Sequence, residues 1–212
     1  MSTKQAGRPR RRYAPRLPPE QRREQLLDGA LSVILGQGYN GVSVEAVARE
    51  VGVTRPVVYD HFANLGSLLG ALVQREERYA LAQLQEILPD DPSGYGPDEL
   101  LGRGVRRFLD AVSSRPATWR LILLPLEGTP EIVRRQVERQ RDVMLGRIKV
   151  VVRLAIEPLG LPADFDIELA ARAIRDLGEH AGRQVLLNPK RYRPERYEQF
   201  VRSVIGLIWA SK

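Results

Sequence analysis

Apolar residues recur along most of the chain at the spacing of an α-helix. Between Leu27 and Ile34 they stand at positions i, i+3, i+4 and i+7, which predicts a helix with a single apolar stripe. The same spacing returns between Val44 and Val51, and it continues in longer stretches toward the C-terminus. No segment alternates at the two-residue period of a strand. The pattern therefore predicts an all-α protein.

Two of the predicted helices are short and lie close together in the sequence. Ser43 is suited to cap the first of them, Gly52 ends its stripe, and Thr54 is suited to cap the next helix only two residues later. Within that helix Val58 and Phe62 stand four residues apart, so they can face the core together and leave the other side chains facing out. Two short helices joined at a glycine are typical of a helix-turn-helix, whose second helix enters the major groove of DNA.

The rest of the chain predicts longer helices separated by loops. Asn64 is suited to begin a long fourth helix, and a loop rich in proline and glycine follows over residues 89–97. Further helices are predicted at about residues 98–113, 115–124, 130–156, 164–187 and from Pro194 onward. The penultimate helix is rich in small residues and the last one is amphipathic, which favours a four-helix dimer interface with two helices from each subunit. His180 lies in the penultimate helix and is interpreted as an interface or surface residue.

Most of the positive charge lies at the N-terminus. The chain has 33 basic and 26 acidic residues, a net charge of +7, and six of the bases fall in residues 1–18, where there is no acid. The rest of the chain is therefore nearly neutral. Because residues 1–18 are also rich in proline and poor in large apolar residues, we expect a disordered basic arm that binds a polyanion.

Composition excludes several kinds of site. The chain has no cysteine, which rules out disulfides, thiolate catalysis and cysteine-bound zinc, and its two histidines leave little for a transition-metal site. Adjacent residues on a helix point about 100° apart, so Asp60 and His61 do not suit a catalytic pair. No apolar run reaches membrane-spanning length, and no apolar segment follows the charged N-terminus as in a secretory signal. We expect a cytoplasmic protein without a metal, a cofactor or enzymatic activity.

Residues 20 to about 72 carry the motifs GQGYNGVSV, EAVAREVGV and TRPVVYDHF, followed by the leucines of SLLGAL. Taken together, these motifs resemble the DNA-binding domain of the tetracycline-repressor (TetR) family of bacterial transcription regulators. The resemblance implies a helix-turn-helix DNA-binding domain over residues 19–63 and a larger helical domain for effector binding and dimerisation over residues 64–212. Over that second domain the match is one of length and helical class only.

The resemblance also assigns DNA contacts to positions in the second and third helices. Ser43 and Thr54, at two helix N-termini, would hydrogen-bond phosphates, where the helix dipoles add attraction. Arg55 can bond a guanine through two hydrogen bonds, and Pro56 or Val57 can contact a thymine methyl group. The expected DNA-binding residues of these helices are Ser43, Thr54, Arg55, Pro56, Val57, Tyr59 and His61.

This chain departs from the family pattern at Leu65, where a basic residue usually binds a phosphate. The helical unit over residues 20–62 holds four bases and six acids, so a strong grip on phosphate is not expected from it. The basic arm contains GRPRRR, which resembles an AT-hook that lies in an AT-rich minor groove. The alternative is a solvated arm that adds only charge. In either case its arginines are expected to contact DNA: Arg8, Arg10, Arg11 and Arg12.

Regulators of this family usually bind an effector in the second domain. The candidates in this chain combine aromatic, apolar and acidic groups near the same helix ends: Phe108, Trp119, Leu123, Glu127 and Met144. The alternative is that all five are ordinary core or loop residues. The expected effector is mostly apolar, either flat or lipid-like.

The resulting hypothesis is a homodimeric repressor that binds a near-palindromic double-stranded DNA operator and is released by a small-molecule effector. The long fourth helix starts beside the third helix and runs into the second domain. A ligand that shifts it would therefore change the distance between the two reading helices of the dimer. The alternative is a DNA-binding regulator without an effector, controlled by its abundance or by a protein partner.

Overall fold

The computed structural model describes residues 17–85, 94–124, 128–159, 162 and 164–210. The α-helices in these residues are α1 (Pro19–Gln37), α2 (Val44–Glu50), α3 (Arg55–Tyr59), α4 (Leu65–Gln85), α5 (Pro97–Ser114), α6 (Pro116–Leu123), α7 (Glu131–Leu159), α8 (Ile167–Leu187) and α9 (Pro194–Ala210). A short 3-10 turn at Tyr39–Gly41 stands between α1 and α2. The same residues contain no strand, and the prediction of an all-α fold is confirmed.

The two short helices α2 and α3 begin at capping positions and are joined by a glycine. Ser43 caps α2, since its Oγ accepts a hydrogen bond of 3.0 Å from the Ala46 amide. Thr54 occupies the corresponding place before α3 with an extended backbone, but its side chain makes no capping hydrogen bond. Between the helices Gly52 has a φ of +72°, a conformation that residues with a Cβ rarely adopt. The glycine therefore allows the tight turn between α2 and α3.

Two of the long helices also begin at polar caps. Asn64 Oδ1 accepts a hydrogen bond of 2.8 Å from the Ser67 amide, and Ser67 Oγ accepts one of 3.2 Å from the Asn64 amide. This reciprocal pair starts α4 directly after α3. At the start of α8, Asp166 Oδ1 accepts a hydrogen bond of 2.9 Å from the Leu169 amide. Of the two aspartates just before α8, Asp164 and Asp166, the cap is therefore Asp166.

Two apolar cores place the helices relative to one another. The first contains residues of α1, α2, α3 and α4, together with Leu121 of α6 and Val133 of α7. The second packs α4, α5, α6 and α8 around buried residues that include Leu109, Val112 and Trp119. Helices α4 and α6 contribute side chains to both cores. A shift of either helix would therefore disturb the packing at both ends of the molecule.

The last two helices leave apolar surface uncovered in the single chain. Helix α9 packs against α5, and α8 packs against α5, α6 and α7. Several large apolar side chains of α8 and α9 are nevertheless exposed: Leu169, Leu177, Leu187, Phe200, Val204 and Leu207. Exposed apolar groups are common singly, but several of them on two helices indicate an interaction surface.

Candidate DNA-binding surface and ligand cavity

Helix α3 is held in place by two side chains on one of its faces. Val58 is 1% exposed and Phe62 just beyond the helix is 4% exposed, and both belong to the first core. The guanidinium carbon of Arg23 lies 4.9 Å from the centroid of the Phe62 ring, an attractive cation–π distance. The remaining faces of α3 are therefore free to present their side chains outward.

The residues expected to read DNA lie on these outward faces. Thr54, Arg55, Pro56 and Tyr59 are exposed, whereas Val57 and His61 are partly exposed. Ser43 at the start of α2 is half-buried because its Oγ caps the helix, but its hydroxyl proton is left over to donate to a phosphate. The structure thus brings together the residues of α2 and α3 that were expected on one surface. Their contact with DNA stays a prediction.

Arg55 has a partner that was not predicted. Its Nη2 lies 2.9 Å from Oε1 of Glu45 in the first turn of α2, and both side chains are about half exposed. An exposed ion pair contributes only about 0–1 kcal/mol, so it does not hold the two helices together. It does orient the guanidinium, and a guanine would have to displace the carboxylate. The only sequence signal for this pair was the excess of acids in the helix-turn-helix.

Leu65, where the family pattern has a basic residue, is half-buried and packs against the first core. The leucine therefore adds apolar contacts at the start of α4 instead of a phosphate contact. The arginines of the basic arm, Arg8, Arg10, Arg11 and Arg12, lie outside the residues that the structure describes. Their role in DNA binding stays a prediction from charge.

A cluster of charged groups, in which Arg75 and Glu76 are buried, connects α1 to α4 and α6. The Arg75 guanidinium lies 3.0 Å from Glu24 Oε2 and 2.8 Å from Asp28 Oδ1, both on α1. It also lies 2.8 Å from Oε1 of its neighbour Glu76. Thr118 on α6 donates a hydrogen bond to the other carboxylate oxygen of Glu76. The cluster was not predicted, although Glu76 interrupts the apolar stripe of α4 and so indicated a buried charge.

The partners of Arg75 keep it charged in spite of its burial. Burial acts to lower the pKa of Arg75, but hydrogen bonds to Glu24, Glu76 and Asp28 outweigh that effect and raise the pKa above its ordinary value. A buried charge that loses its partner is expensive, so the arrangement tolerates little displacement of α1 or α6. The cluster therefore fixes the helix-turn-helix relative to the longer helices.

A cavity of about 530 Å³ lies among α4, α5, α6, α7 and α8. Four of the predicted effector-binding residues line it: Phe108, Trp119, Leu123 and Met144. The rings of Phe108 and Trp119 meet edge to face, with centroids 5.4 Å apart, and Trp119 Nε1 donates a hydrogen bond of 3.1 Å to Gln83 Oε1. The fifth predicted residue, Glu127, lies outside the described residues. Binding of a ligand by the other four stays a prediction.

The cavity also contains polar groups that were missed. Glu77 is 6% exposed, and its Oε2 accepts a hydrogen bond of 2.7 Å from Gln136 Nε2. Its Oε1, like Oε1 of the lining residue Gln140, is buried and has no hydrogen-bond partner among the described residues. Burial raises the pKa of Glu77, while Gln136 and Arg139 act in the opposite direction. Buried polar atoms without a partner are rare, so these two oxygens are candidate acceptors for a ligand.

The described parts of the chain show neither of two other kinds of site. They contain no group of three or more acidic or histidine side chains placed to hold a metal ion. None of their helices combines the length and the apolar character needed to cross a membrane.

Residues 26–72 match the family described as bacterial regulatory proteins, tetR family. The HTH-type transcriptional regulator SrpR of Pseudomonas putida is 26% identical over 194 residues, which cover 90% of this chain and 85% of the relative. The HTH-type transcriptional activator FasR of Mycolicibacterium smegmatis is 30% identical over 107 residues, which cover 50% of this chain and 48% of the relative. These relatives are transcription regulators, not enzymes.

Solved structures share the fold over nearly the whole chain. A TetR-like transcriptional regulator from Rhodococcus sp. RHA1 superimposes with a TM-score of 0.67 at 24% identity, and the match covers 93% of this chain and 100% of that one. The transcriptional regulator FadR from Bacillus subtilis, solved in complex with stearoyl-CoA, superimposes with a TM-score of 0.65 at 17% identity. That match covers 85% of this chain and 96% of FadR. The likeness extends beyond the helix-turn-helix into the longer helices.

Proposed function

The chain belongs to the tetR family of bacterial transcription regulators, and from this premise we propose that it is a dimeric repressor released from its operator by a small-molecule effector. Residues 19–63 bind DNA, and residues 64–212 bind the effector and form the dimer. The observation that carries the proposal is the pairing of an outward polar face on α3 with a partly open, mostly apolar cavity lined by α4, the helix that follows α3.

DNA binding is assigned to the outer face of α3. A five-residue helix that buries little beyond Val58 contributes little to stability, and its exposed side chains are the kinds that read base edges and phosphates. Arg55 leaves Glu45 to bond a guanine, and Tyr59 donates its hydroxyl to a phosphate. The arginines of the basic arm add attraction without which the slightly acidic helical unit would bind weakly.

Dimerisation is assigned to the exposed apolar side chains of α8 and α9. Two such helices from each subunit would form a four-helix interface and remove these side chains from water. A two-fold axis then places two α3 helices on successive major grooves of a near-palindromic operator, with half-sites about one helical turn apart or slightly more. The exposed Leu177 and Leu207 are the largest contributors expected at this interface.

Effector binding is coupled to DNA binding through α4 and α6. Trp119 lines the cavity, and its neighbour Thr118 donates to Glu76 in the cluster that holds α1. A ligand that moves Trp119 therefore withdraws Thr118 from Glu76 and disturbs the Arg75 cluster. The helix-turn-helix then changes its position relative to α4, and the spacing between the two reading helices no longer matches the operator.

Two similar proteins bear on this assignment in different ways. FadR, a protein of the same fold, was solved with stearoyl-CoA bound, which supports a ligand with a large apolar part for this cavity. FasR is named an activator, so the sign of regulation is tested by transcription itself. We expect deletion of the gene to raise transcription of its target, and a fall in transcription would contradict repression.

Footprinting on the DNA upstream of the protein's own gene tests the DNA-binding part of the proposal. We expect a protected region with two-fold symmetry, and light scattering of the complex should give two chains per site. The absence of any protected site on this DNA or on the neighbouring upstream regions would contradict the proposal.

The variant Thr118→Val tests the coupling route. Valine has nearly the same shape but cannot donate to Glu76, so ligand binding should survive while the effect of ligand on operator affinity falls. Ile122→Val, another conservative change on the cavity side of α6, is the matched control and should keep the coupling. Equal coupling in the two variants would exclude the route through Glu76.

A further inference from the structure

We propose that the cavity binds an amphiphilic amine, with its apolar body among the lining side chains and its protonated amino group at Glu77. The inference rests on the proposed effector site and names the chemical class of its ligand. It differs from a fatty acid or an acyl thioester, which would bring only hydrogen-bond acceptors or negative charge to the same place.

First, the cavity wall favours a ligand that donates hydrogen bonds. Glu77 and Gln140 line the cavity, and Oε1 of each is buried with no hydrogen-bond partner among the described residues. Both atoms are acceptors, and an ionised carboxylate has no hydrogen to donate. A primary ammonium carries three donors, so a single group can supply hydrogen bonds to more than one acceptor. It would also favour the ionised form of the carboxyl group that burial disfavours.

The second argument is that the arginines of the cavity wall are already paired or exposed. Arg141 lies 2.7 Å from Glu138 and 3.2 Å from Glu179, and Arg175 lies 2.7 Å from Asp176. The charge of these two arginines is therefore partly neutralised, and a ligand carboxylate would compete with the carboxylates already bound to them. Arg147 also lines the cavity but is exposed, so water competes for it. Glu77 thus offers a buried carboxylate to an ammonium group, whereas the arginines of the wall offer a ligand carboxylate only shared or solvent-screened cations.

The third argument is the shape of the remaining wall. Apart from these polar groups it consists mostly of apolar side chains, which include Leu84, Val105, Phe108 and Ile148. A volume of about 530 Å³ falls within the range of about 300–1,000 Å³ that is usual for small-molecule sites. An alkyl chain of about ten carbons with one polar end matches this combination.

Isothermal titration calorimetry with decylamine, decanol and decanoic acid, below their micelle concentrations at pH 7, tests the proposal on the wild-type protein. The three ligands share one tail, so differences in Kd report the headgroup. We expect decylamine to bind about tenfold more tightly than decanol, as for one hydrogen bond to a charged group, and decanoate to bind most weakly. Decanoate binding as tightly as decylamine, or no binding by any of the three, would overturn the proposal.

Two variants assign the preference to Glu77. In Glu77→Gln the size of the side chain is kept and its charge is lost, so decylamine should lose its advantage over decanol. Glu168→Gln makes the same change of net charge at an exposed residue of α8 that pairs with Lys149 and Arg172, and it should leave all three affinities within about twofold. An unchanged decylamine affinity in Glu77→Gln would exclude Glu77 as the partner.

These measurements use protein without DNA, so they separate the ligand class from the proposed effector release. If decylamine binds as expected but operator affinity does not change, the ligand class stands and effector release is wrong. If decanoate binds most tightly and releases the operator, effector release stands and the amine is wrong.

Discussion

The polar side chains on the outer face of α3 are exposed to water, whereas Oε1 of Glu77 and Oε1 of Gln140 in the cavity wall are buried and have no hydrogen-bond partner among the described residues. Thr54, Arg55 and Tyr59 lose little by being exposed, and they remain available to any polyanion that approaches. A buried acceptor without a partner lowers the stability of the folded protein by about 1–3 kcal/mol.

The contrast separates two ways in which a protein prepares for a ligand. The DNA-binding face is prepared by leaving charge exposed, and its selectivity depends on which side chains point outward. In the cavity wall, acceptor oxygens are buried without a hydrogen bond from the described residues. A ligand that donates hydrogen bonds to them would restore the stability lost by their burial. Arg75, Glu76 and Thr118 join α1 of the DNA-binding domain to α4 and α6, two helices that line the cavity.

The largest loss of stability is expected when the charged cluster around Arg75 is broken. Arg75→Met leaves the buried Glu76 without its cation, and the loss of a buried partner typically destabilises a protein by about 3–5 kcal/mol. Urea unfolding followed by circular dichroism measures this change. Arg103→Met removes an exposed i, i+4 pair with Glu99 and is the control, with a loss of less than about 1 kcal/mol. Equal losses in the two variants would show that the cluster does not stabilise the fold.

Deletion of residues 1–16 tests how much of the DNA affinity comes from charge outside the helices. Because these residues carry six of the bases and no acid, their loss should weaken operator binding by more than about tenfold at moderate salt. The dependence of the affinity on salt concentration should also become shallower, because fewer counterions are released. Fluorescence anisotropy at several salt concentrations measures both effects, and equal binding by the truncated protein would refute the argument from charge.

Single substitutions of Arg55 and Glu45 test how much the outer face of α3 contributes to operator affinity. Arg55→Ala should weaken operator binding by about 1–3 kcal/mol, the range for one bidentate contact to guanine, with little change in stability. Glu45→Gln should instead strengthen binding, because the carboxylate no longer competes for the guanidinium. Electrophoretic mobility shifts on specific and unrelated DNA measure the two effects. An affinity that falls in both variants would mean that Arg55 needs Glu45 to hold it in position.

The burial of the Glu77 carboxyl group should make the free energy of unfolding depend on pH. Burial raises its pKa in the folded protein, so the folded state takes up a proton at a higher pH than the unfolded state does. The penalty is fully present above the raised pKa and disappears as the pH falls toward the ordinary value. Glu77→Gln should therefore be about 1 kcal/mol more stable than the wild type at high pH, with a smaller advantage at low pH. Urea unfolding across this pH range would show the opposite trend if a buried cation had lowered the pKa.

Tyr39 in the first core gives the smallest expected effect. Its hydroxyl is buried without a hydrogen-bond partner among the described residues, and burial raises its pKa to about 12. Tyr39→Phe removes only this oxygen and should leave the stability unchanged or raise it by up to about 1 kcal/mol. Thermal unfolding measures the shift. A clear loss of stability would indicate that the Tyr39 hydroxyl does have a hydrogen-bond partner.

The features predicted from sequence are those that depend on neighbouring residues. Ser43 and Asn64 cap helices through bonds to amides three residues away, and Val58 and Phe62 share a face because they stand four residues apart. These are consequences of helix geometry, so the helix-turn-helix and the outward face of α3 could be predicted in detail.

The features missed from sequence depend on which helices lie opposite one another. Glu77 bonds Gln136 across 59 residues, and Glu76 bonds Thr118 across 42. Neither pairing has a local pattern, and each requires the positions of α4, α6 and α7. Four cavity residues were found because bulky apolar side chains near helix ends tend to meet, but the polar partners of a cavity carry no such tendency.

The most direct test of the proposed coupling is to measure operator affinity when a ligand fills the cavity. Fluorescence anisotropy of a labelled duplex from the upstream region is measured with and without decylamine, at a concentration that calorimetry shows to saturate the cavity. We expect operator affinity to fall by about 5- to 150-fold while light scattering still reports a dimer. An unchanged affinity with the cavity saturated would contradict the coupling between the cavity and the helix-turn-helix.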